Sequence, residues 1–120
     1  MLTGTIEGAH SLAEGDRRRD HPRFQAGNID ANVAVVQSLK EVAAEKGVSP
    51  SQLALAWLLA QGDDIVPIPG TKRRTHLAEN MAAVELELDA DEVAAVAAAV
   101  NPDAVSGPRY PEAQLKRLGI

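Results

Sequence analysis

The residues best suited to chemistry lie in one stretch, Pro67–Asn80, which reads P-I-P-G-T-K-R-R-T-H-L-A-E-N. Lys72, Arg73, Arg74 and His76 fall within five positions, with no acidic residue between them. Amide N–H groups in the first turn of a helix attract anions, and the helix dipole assists them. Lys72 and Arg73 beside such a turn predict a site for a phosphate monoester. The spacing alone leaves a second interpretation open, a solvated basic helix start.

Other kinds of site find little support. Neither of the common glycine-rich nucleotide loops, G-x-x-x-x-G-K-[ST] or G-x-G-x-x-G, occurs in the sequence. The three histidines, His10, His21 and His76, lie far apart without ligand spacing, so we expect no metal site. The absence of cysteine excludes disulfides, thiolate nucleophiles and cysteine-based zinc sites.

Length and charge set the class of protein. With 120 residues, the chain is long enough for one ordinary domain and too short for two. Its net charge of -5 argues against general attraction to nucleic acid or to an anionic membrane. No apolar run approaches the ~20 residues that span a bilayer, and the first residues lack the apolar core of a secretory signal. We therefore expect a soluble, cytoplasmic protein.

The chain divides into three parts. Residues 1–27 are rich in glycine and polar residues and predict an irregular loop segment. Residues 28–100 carry the helical patterns and the basic stretch, and residues 101–120 form a tail. Apolar residues at spacings of three and four predict a first helix up to Lys46, with Asn28 as its cap and Gly47 as a left-handed stop.

Three further helices follow from local signals. Ser49-Pro50-Ser51-Gln52 is a capping box that opens a helix over Pro50–Gln61. This helix is apolar on most sides, so it should be buried on most sides. A second helical pattern covers Arg73–Met81. Asp89-Ala90-Asp91-Glu92 is another capping box, and Asn101-Pro102 ends the helix that it opens.

Between these helices, Ile65–Ile68 predicts one short buried strand. A single strand cannot satisfy its own backbone hydrogen bonds, and Pro67 restricts its place in a sheet. The segment therefore needs neighbours from another chain or from a larger α/β fold.

Three stretches of the sequence together resemble the C-terminal part of aldo-keto reductases. They are G-V-S-P-S-Q-L-A-L-A-W-L-L at 47–59, I-V-P-I-P-G-T-K-R at 65–73 and L-A-E-N at 77–80. The resemblance is to the bacterial branch with an I-P-G-T-K-R cofactor loop. Leu2-Thr3-Gly4, Pro22-Arg23-Phe24 and Arg109-Tyr110-Pro111 match the same branch, so the resemblance covers nearly the whole chain.

The resemblance implies an α/β fold in which the chain is part of a (β/α)8 barrel, a TIM barrel of roughly 250 residues. The chain would supply the last strand, Ile65–Ile68, and the C-terminal helices, and it would be mostly helical in isolation. The family reduces aldehydes and ketones with NADPH, so the implied partners are NADP(H) and a small carbonyl substrate. Apolar surfaces left without the rest of the barrel would favour self-association.

The resemblance also implies roles for individual residues. The cofactor-binding set is Gly70, Thr71, Lys72, Arg73, His76, Glu79 and Asn80. The first four match the loop that holds the 2′-phosphate of NADPH, and the last two match a pair that contacts the adenine edge. His76 stands where many relatives carry an arginine that stacks on adenine or pairs with the phosphate, and histidine does either more weakly.

The family's catalytic Asp, Tyr, Lys and His motifs are not in this sequence. The single tyrosine, Tyr110, matches a tail motif and not the catalytic acid, so we assign no catalytic residue. Two alternatives stay open: an inactive remnant, and a small helical protein-interaction module with no nucleotide binding. In the latter, the first two helices would resemble a helix-turn-helix, although the net charge and the apolar second helix argue against DNA binding.

Overall fold

The computed structural model describes residues 1–118, and this range is helical with no β-strand. The α-helices, in chain order, are α1 (Ile29–Glu45), α2 (Pro50–Leu59), α3 (Arg74–Ala82), α4 (Ala90–Ala99) and α5 (Glu112–Leu115). Short 3-10 turns occupy Ala9–Ser11, Arg17–Asp20, Pro22–Phe24, Ala83–Glu85 and Pro102–Ala104. The longest helix, α1, has 17 residues, and none of the helices within residues 1–118 has the length and apolar character needed to cross a membrane.

Local sequence signals set several of these helix ends. At α2, the Ser49 hydroxyl accepts from the amide of Gln52 at 3.2 Å, and the Gln52 side chain accepts from the amide of Ser49 at 3.0 Å. Asp89 and Glu92 form the same reciprocal pair at α4, with both distances 2.9 Å. Both predicted capping boxes are therefore confirmed. Gly47 follows α1 with a φ of +72°, as predicted for a left-handed stop.

The predicted capping role of Asn28 is wrong. Its side chain makes no cap bond to the start of α1. Instead, its Nδ2 donates to the carbonyl of Pro22 at 2.9 Å, and its Oδ1 accepts from the hydroxyl of Ser106 at 2.6 Å. The amide therefore joins the start of α1 to the preceding turn and to the tail, and these tertiary bonds take the place of a local one.

The main core lies between α1, α2 and α4. Leu39 and Ala43 of α1, Leu53 of α2 and Val96 of α4 are its buried members. Trp57 packs at its edge and donates from Nε1 to the carbonyl of Val93 at 3.1 Å. A smaller cluster of Ile6, Leu12 and Ile29 fixes the N-terminal loop on α1.

The predicted buried strand is absent from the described range. Residues 65–69 form no regular secondary structure, and Val66 and Ile68 are 78% and 93% exposed. No neighbouring strand exists within residues 1–118, and Pro67 and Pro69 have no amide N–H to donate. The prediction that α2 is buried on most sides is also wrong, because Leu58 and Leu59 are more than one-third exposed.

Candidate functional site

The basic stretch begins in a turn that a side chain closes. The hydroxyl of Thr71 accepts from the amide of Arg73 at 3.1 Å and donates to the carbonyl of the same residue at 3.2 Å. Gly70 does not have a positive φ, and a Cβ there would meet open space. Thr71 therefore sets this turn, without a positive φ at Gly70. Because Gly70 has no side chain, the backbone at this position stays accessible.

The N-terminus of α3 is open. Its N-cap residue, Arg73, is extended and makes no side-chain cap bond, and the first turn holds no acidic residue. The amide of Leu77 is the first to bond within the helix, at 3.0 Å from the carbonyl of Arg73. The amides of residues 74–76 therefore precede the first intrahelical bond, which leaves them available to an anion. The helix begins one residue later than predicted.

Three cations surround this open end. Lys72, Arg73 and Arg74 are all exposed, and none of them forms a salt bridge with another residue in the range 1–118. The local charge is positive in a chain whose net charge is -5. Free cations and oriented amides at one helix end suit a multiply charged oxyanion.

His76 and Glu79 interact one turn later. Nδ1 of His76 lies 3.3 Å from Oε2 of Glu79, and the two side chains are 53% and 33% exposed. The pKa of Glu79 is lowered from its ordinary value, first by the hydroxyl of Ser49 and second by the imidazole of His76. Glu79 therefore stays ionised and holds His76 in place while it faces the start of α2.

Asn80 lies beside an apolar cleft of about 490 Å³. The cleft is walled by α2 and α4, with Trp57 and Leu58 among its lining residues, and both Gly70 and Asn80 reach it. Its volume falls within the range of small-molecule sites. Asn80 gives this largely apolar surface an amide group that can both donate and accept.

The structure thus groups the seven predicted residues in two places. Thr71, Lys72, Arg73 and His76 lie along the loop and the first turn of α3, whereas Gly70 and Asn80 meet at the cleft. Glu79 joins α3 to α2. Sequence reasoning missed Arg74 as a member of the set, although it is the third cation of the run. It also gave Ser49 a capping role only, and no local signal indicates its effect on Glu79.

Comparisons with known proteins identify one family. A family model described as "Aldo/keto reductase family" matches residues 1–101. The "Aldo-keto reductase yakc [NADP(+)]" of Schizosaccharomyces pombe is 44% identical over 111 residues, which cover 92% of this chain and 33% of that protein. The "Aldo-keto reductase str7" of Strobilurus tenacellus is 37% identical over 109 residues, which cover 91% of this chain and 32% of that protein.

The chain spans about a third of the length of these two curated relatives. No solved structure matches it.

Proposed function

The chain belongs to the aldo/keto reductase family, and we propose that it supplies the part of a (β/α)8 barrel that binds the adenosine 2′-phosphate of NADPH. The observation that carries the proposal is the open start of α3, where three cations without carboxylate partners in residues 1–118 surround uncapped amides. A phosphate monoester is doubly charged and accepts several hydrogen bonds, so it fits this chemistry. The name of the fission-yeast relative, which includes NADP(+), supports the choice of cofactor.

Each residue of the set has a distinct proposed role. Lys72 and Arg73 pair with the 2′-phosphate, and the open amides of α3 add hydrogen bonds to it. Thr71 holds the turn that presents them, through its two bonds to Arg73. Gly70 leaves the backbone accessible to the ligand.

The adenine would lie beyond the phosphate, towards the cleft. Asn80 can donate to and accept from the edge of the base. His76 can stack on the ring or assist the phosphate, and the contact of its Nδ1 with the Glu79 carboxylate orients it. Because the Glu79 carboxylate faces Ser49 and His76, we assign it to the positioning of His76 in addition to its proposed contact with adenine.

The reaction needs the remainder of a barrel. We propose that a complete barrel containing this region reduces aldehydes or ketones, with NADPH supplying the hydride when it is bound. The segment 65–69, which forms no regular secondary structure in residues 1–118, would become a strand once neighbouring strands accept and donate its backbone hydrogen bonds. The exposed apolar side chains of this segment and of α2 would then be buried.

Adenosine 2′,5′-bisphosphate carries the proposed 2′-phosphate without the nicotinamide, so it tests the proposal on the 120-residue chain itself. Isothermal titration calorimetry should show binding of this ligand and much weaker binding of adenosine 5′-phosphate. Replacing Lys72 with alanine should weaken bisphosphate binding by roughly 1–3 kcal/mol, the magnitude of a charged hydrogen bond.

Lys116→Ala is the matched control, because Lys116 is an exposed lysine in the tail that forms a salt bridge with Glu112. It removes the same charge and should leave the affinity unchanged. If the bisphosphate and the 5′-phosphate bound equally, or if both lysine variants weakened binding alike, the assignment of the 2′-phosphate would be wrong.

A further inference from the structure

A second cleft, of about 460 Å³, lies between the beginning of the chain, the turn Pro22–Phe24, α1 and the tail. None of the seven residues assigned to NADPH lines it, although Leu2 and Val100 line both clefts. Two arginines, Arg23 and Arg109, line it together with two aromatic residues, Phe24 and Tyr110, and four valines. Within the described part of the chain, no Asp or Glu lines it. A chain with a net charge of -5 thus has a cleft whose charged side chains are all positive.

Both arginines are held in position without a carboxylate partner among residues 1–118. Arg23 is half-buried, and its Nε donates to the carbonyl of Gly107 at 3.3 Å. That bond occupies one of the five N–H donors of the guanidinium. The guanidinium of Arg109 lies over the ring of Tyr110, 5.6 Å from its centroid, which is a cation-π geometry.

A buried amide fixes the wall that carries Arg109. Asn32, which is 2% exposed, donates from Nδ2 to the carbonyls of Arg23 and Ser106, at 3.0 and 2.8 Å. Its Oδ1 accepts from the amide of Ser106 at 2.8 Å. All of its polar groups are therefore used to join α1, the turn and the tail. The cleft is formed before any ligand arrives, which lowers the entropic cost of binding.

The tail also approaches closely because of Gly107. Its φ is +84°, and a Cβ there would lie 2.7 Å from Nδ2 of Asn28. A larger residue would push the tail away from α1 and open the cleft. Position 107 therefore requires glycine.

We propose that this cleft binds a small, flat carboxylate with an apolar body. The carboxylate would face Arg23 and Arg109, because planar guanidinium groups match the geometry of a carboxylate. The body would pack against Phe24, Tyr110 and the valines, which provide aromatic and branched apolar surface. This site does not depend on the NADPH proposal and stands if that proposal fails.

Benzoate is a suitable probe, and the chain contains its own reporters. It has one tyrosine, one phenylalanine and one tryptophan. Tyr110 and Phe24 line this cleft, whereas Trp57 lines the other. In an NMR titration of the 120-residue chain, benzoate should shift the ring signals of Tyr110 and Phe24 and leave those of Trp57 in place. Benzamide, which has the same shape without the charge, should bind far more weakly.

Arg109→Gln should weaken benzoate binding about tenfold, the effect of losing one charged hydrogen bond. Arg109 is exposed, so the substitution should leave the helical circular dichroism signal unchanged. Arg17→Gln is the matched control, since Arg17 is also exposed and does not line the cleft. Equal binding of benzamide, equal shifts at Trp57, no shift at all, or the same affinity in both arginine variants would overturn the proposal.

Discussion

Helices α3 and α4 are nearly equal in length and begin in opposite ways. α4 starts with a complete capping box, in which Asp89 and Glu92 satisfy each other's backbone amides, and its first turn carries acidic residues. α3 starts at Arg73 with no cap, no acidic residue in its first turn and three cations around it. The first arrangement closes the positive end of the helix dipole, and the second leaves it open with added positive charge.

α4 is also more deeply packed than α3. α4 buries Val96 in the core against α1 and α2. α3 has no buried residue, and Leu77 and Met81 are more than half exposed. A helix with a capped start and buried side chains stabilises the fold. A helix with an uncapped start and exposed side chains keeps backbone amides available to a ligand. The stabilising interactions therefore lie at α4 and its start, whereas the proposed phosphate site at the start of α3 keeps uncapped amides.

The largest test of this comparison shortens one apolar side chain in each helix. Val96→Ala should lower the free energy of unfolding by about 2 kcal/mol, because it removes buried methyl groups and leaves a cavity. Leu77→Ala should change it by less than about 0.5 kcal/mol, since the side chain is already exposed. Urea unfolding followed by the fluorescence of Trp57 measures both. Equal losses would show that α3 is packed as firmly as α4.

The next test exchanges the two kinds of helix start. Asp89→Ala should cost about 1 kcal/mol of stability through the loss of the α4 cap. Arg73→Ser should have the reverse effect at α3, because a serine at the N-cap position accepts from an open amide and stabilises the helix by a few tenths of a kcal/mol or more. The same change should weaken the binding of adenosine 2′,5′-bisphosphate, since it removes a cation and occupies a donor.

Arg73→Ala separates these two effects. It removes the same charge without adding a cap, so it should weaken bisphosphate binding but give no gain in stability. Thermal unfolding and calorimetric titration of the three variants provide the measurements. A serine variant no more stable than the alanine variant would mean that α3 is not limited by its missing cap.

Local sequence signals predicted the ends of the helices better than they predicted the contacts that the helices make. The boxes at Ser49 and Asp89 and the stop at Gly47 depend on residues within four positions of one another, so sequence alone identifies them. The capping role assigned to Asn28 failed because Ser106, which lies far along the chain, competes for the amide. Such a tertiary bond leaves no trace in local spacing.

The predicted strand at residues 65–69 was wrong for a different reason. Its β-branched residues are typical of a strand, but a strand needs partners that residues 1–118 do not contain. For the candidate site, the cation run was visible in the sequence. The contact of Glu79 with Ser49 and the meeting of Gly70 and Asn80 at one cleft were not, because packing between helices produces both.

The smallest expected effect compares the two capping boxes with each other. The third helical residue is Glu92 in α4 and Gln52 in α2, so only the α4 box can titrate. The pKa of Glu92 is lowered below its ordinary 4.5, first by the hydrogen bond from Lys46 and second by the amide of Asp89. A lowered folded-state pKa contributes stability above the unfolded value and loses it as the pH falls through the folded value. The pair of Glu92 with Lys46 and the bond of Glu92 to the Asp89 amide should therefore both weaken in acid.

Glu92→Gln makes the α4 box resemble the α2 box and removes the titration. The wild-type chain should be slightly more stable than this variant at neutral pH, and the difference should shrink as the pH falls below the ordinary value of 4.5. Asp16, whose hydrogen bonds with Arg18 lower its pKa to about 2, is present in both proteins and cancels. Urea midpoints of the two proteins at a series of pH values measure the difference. A constant difference across the series would show that the charge of Glu92 does not stabilise the start of α4, and that the two closed helix starts are held alike.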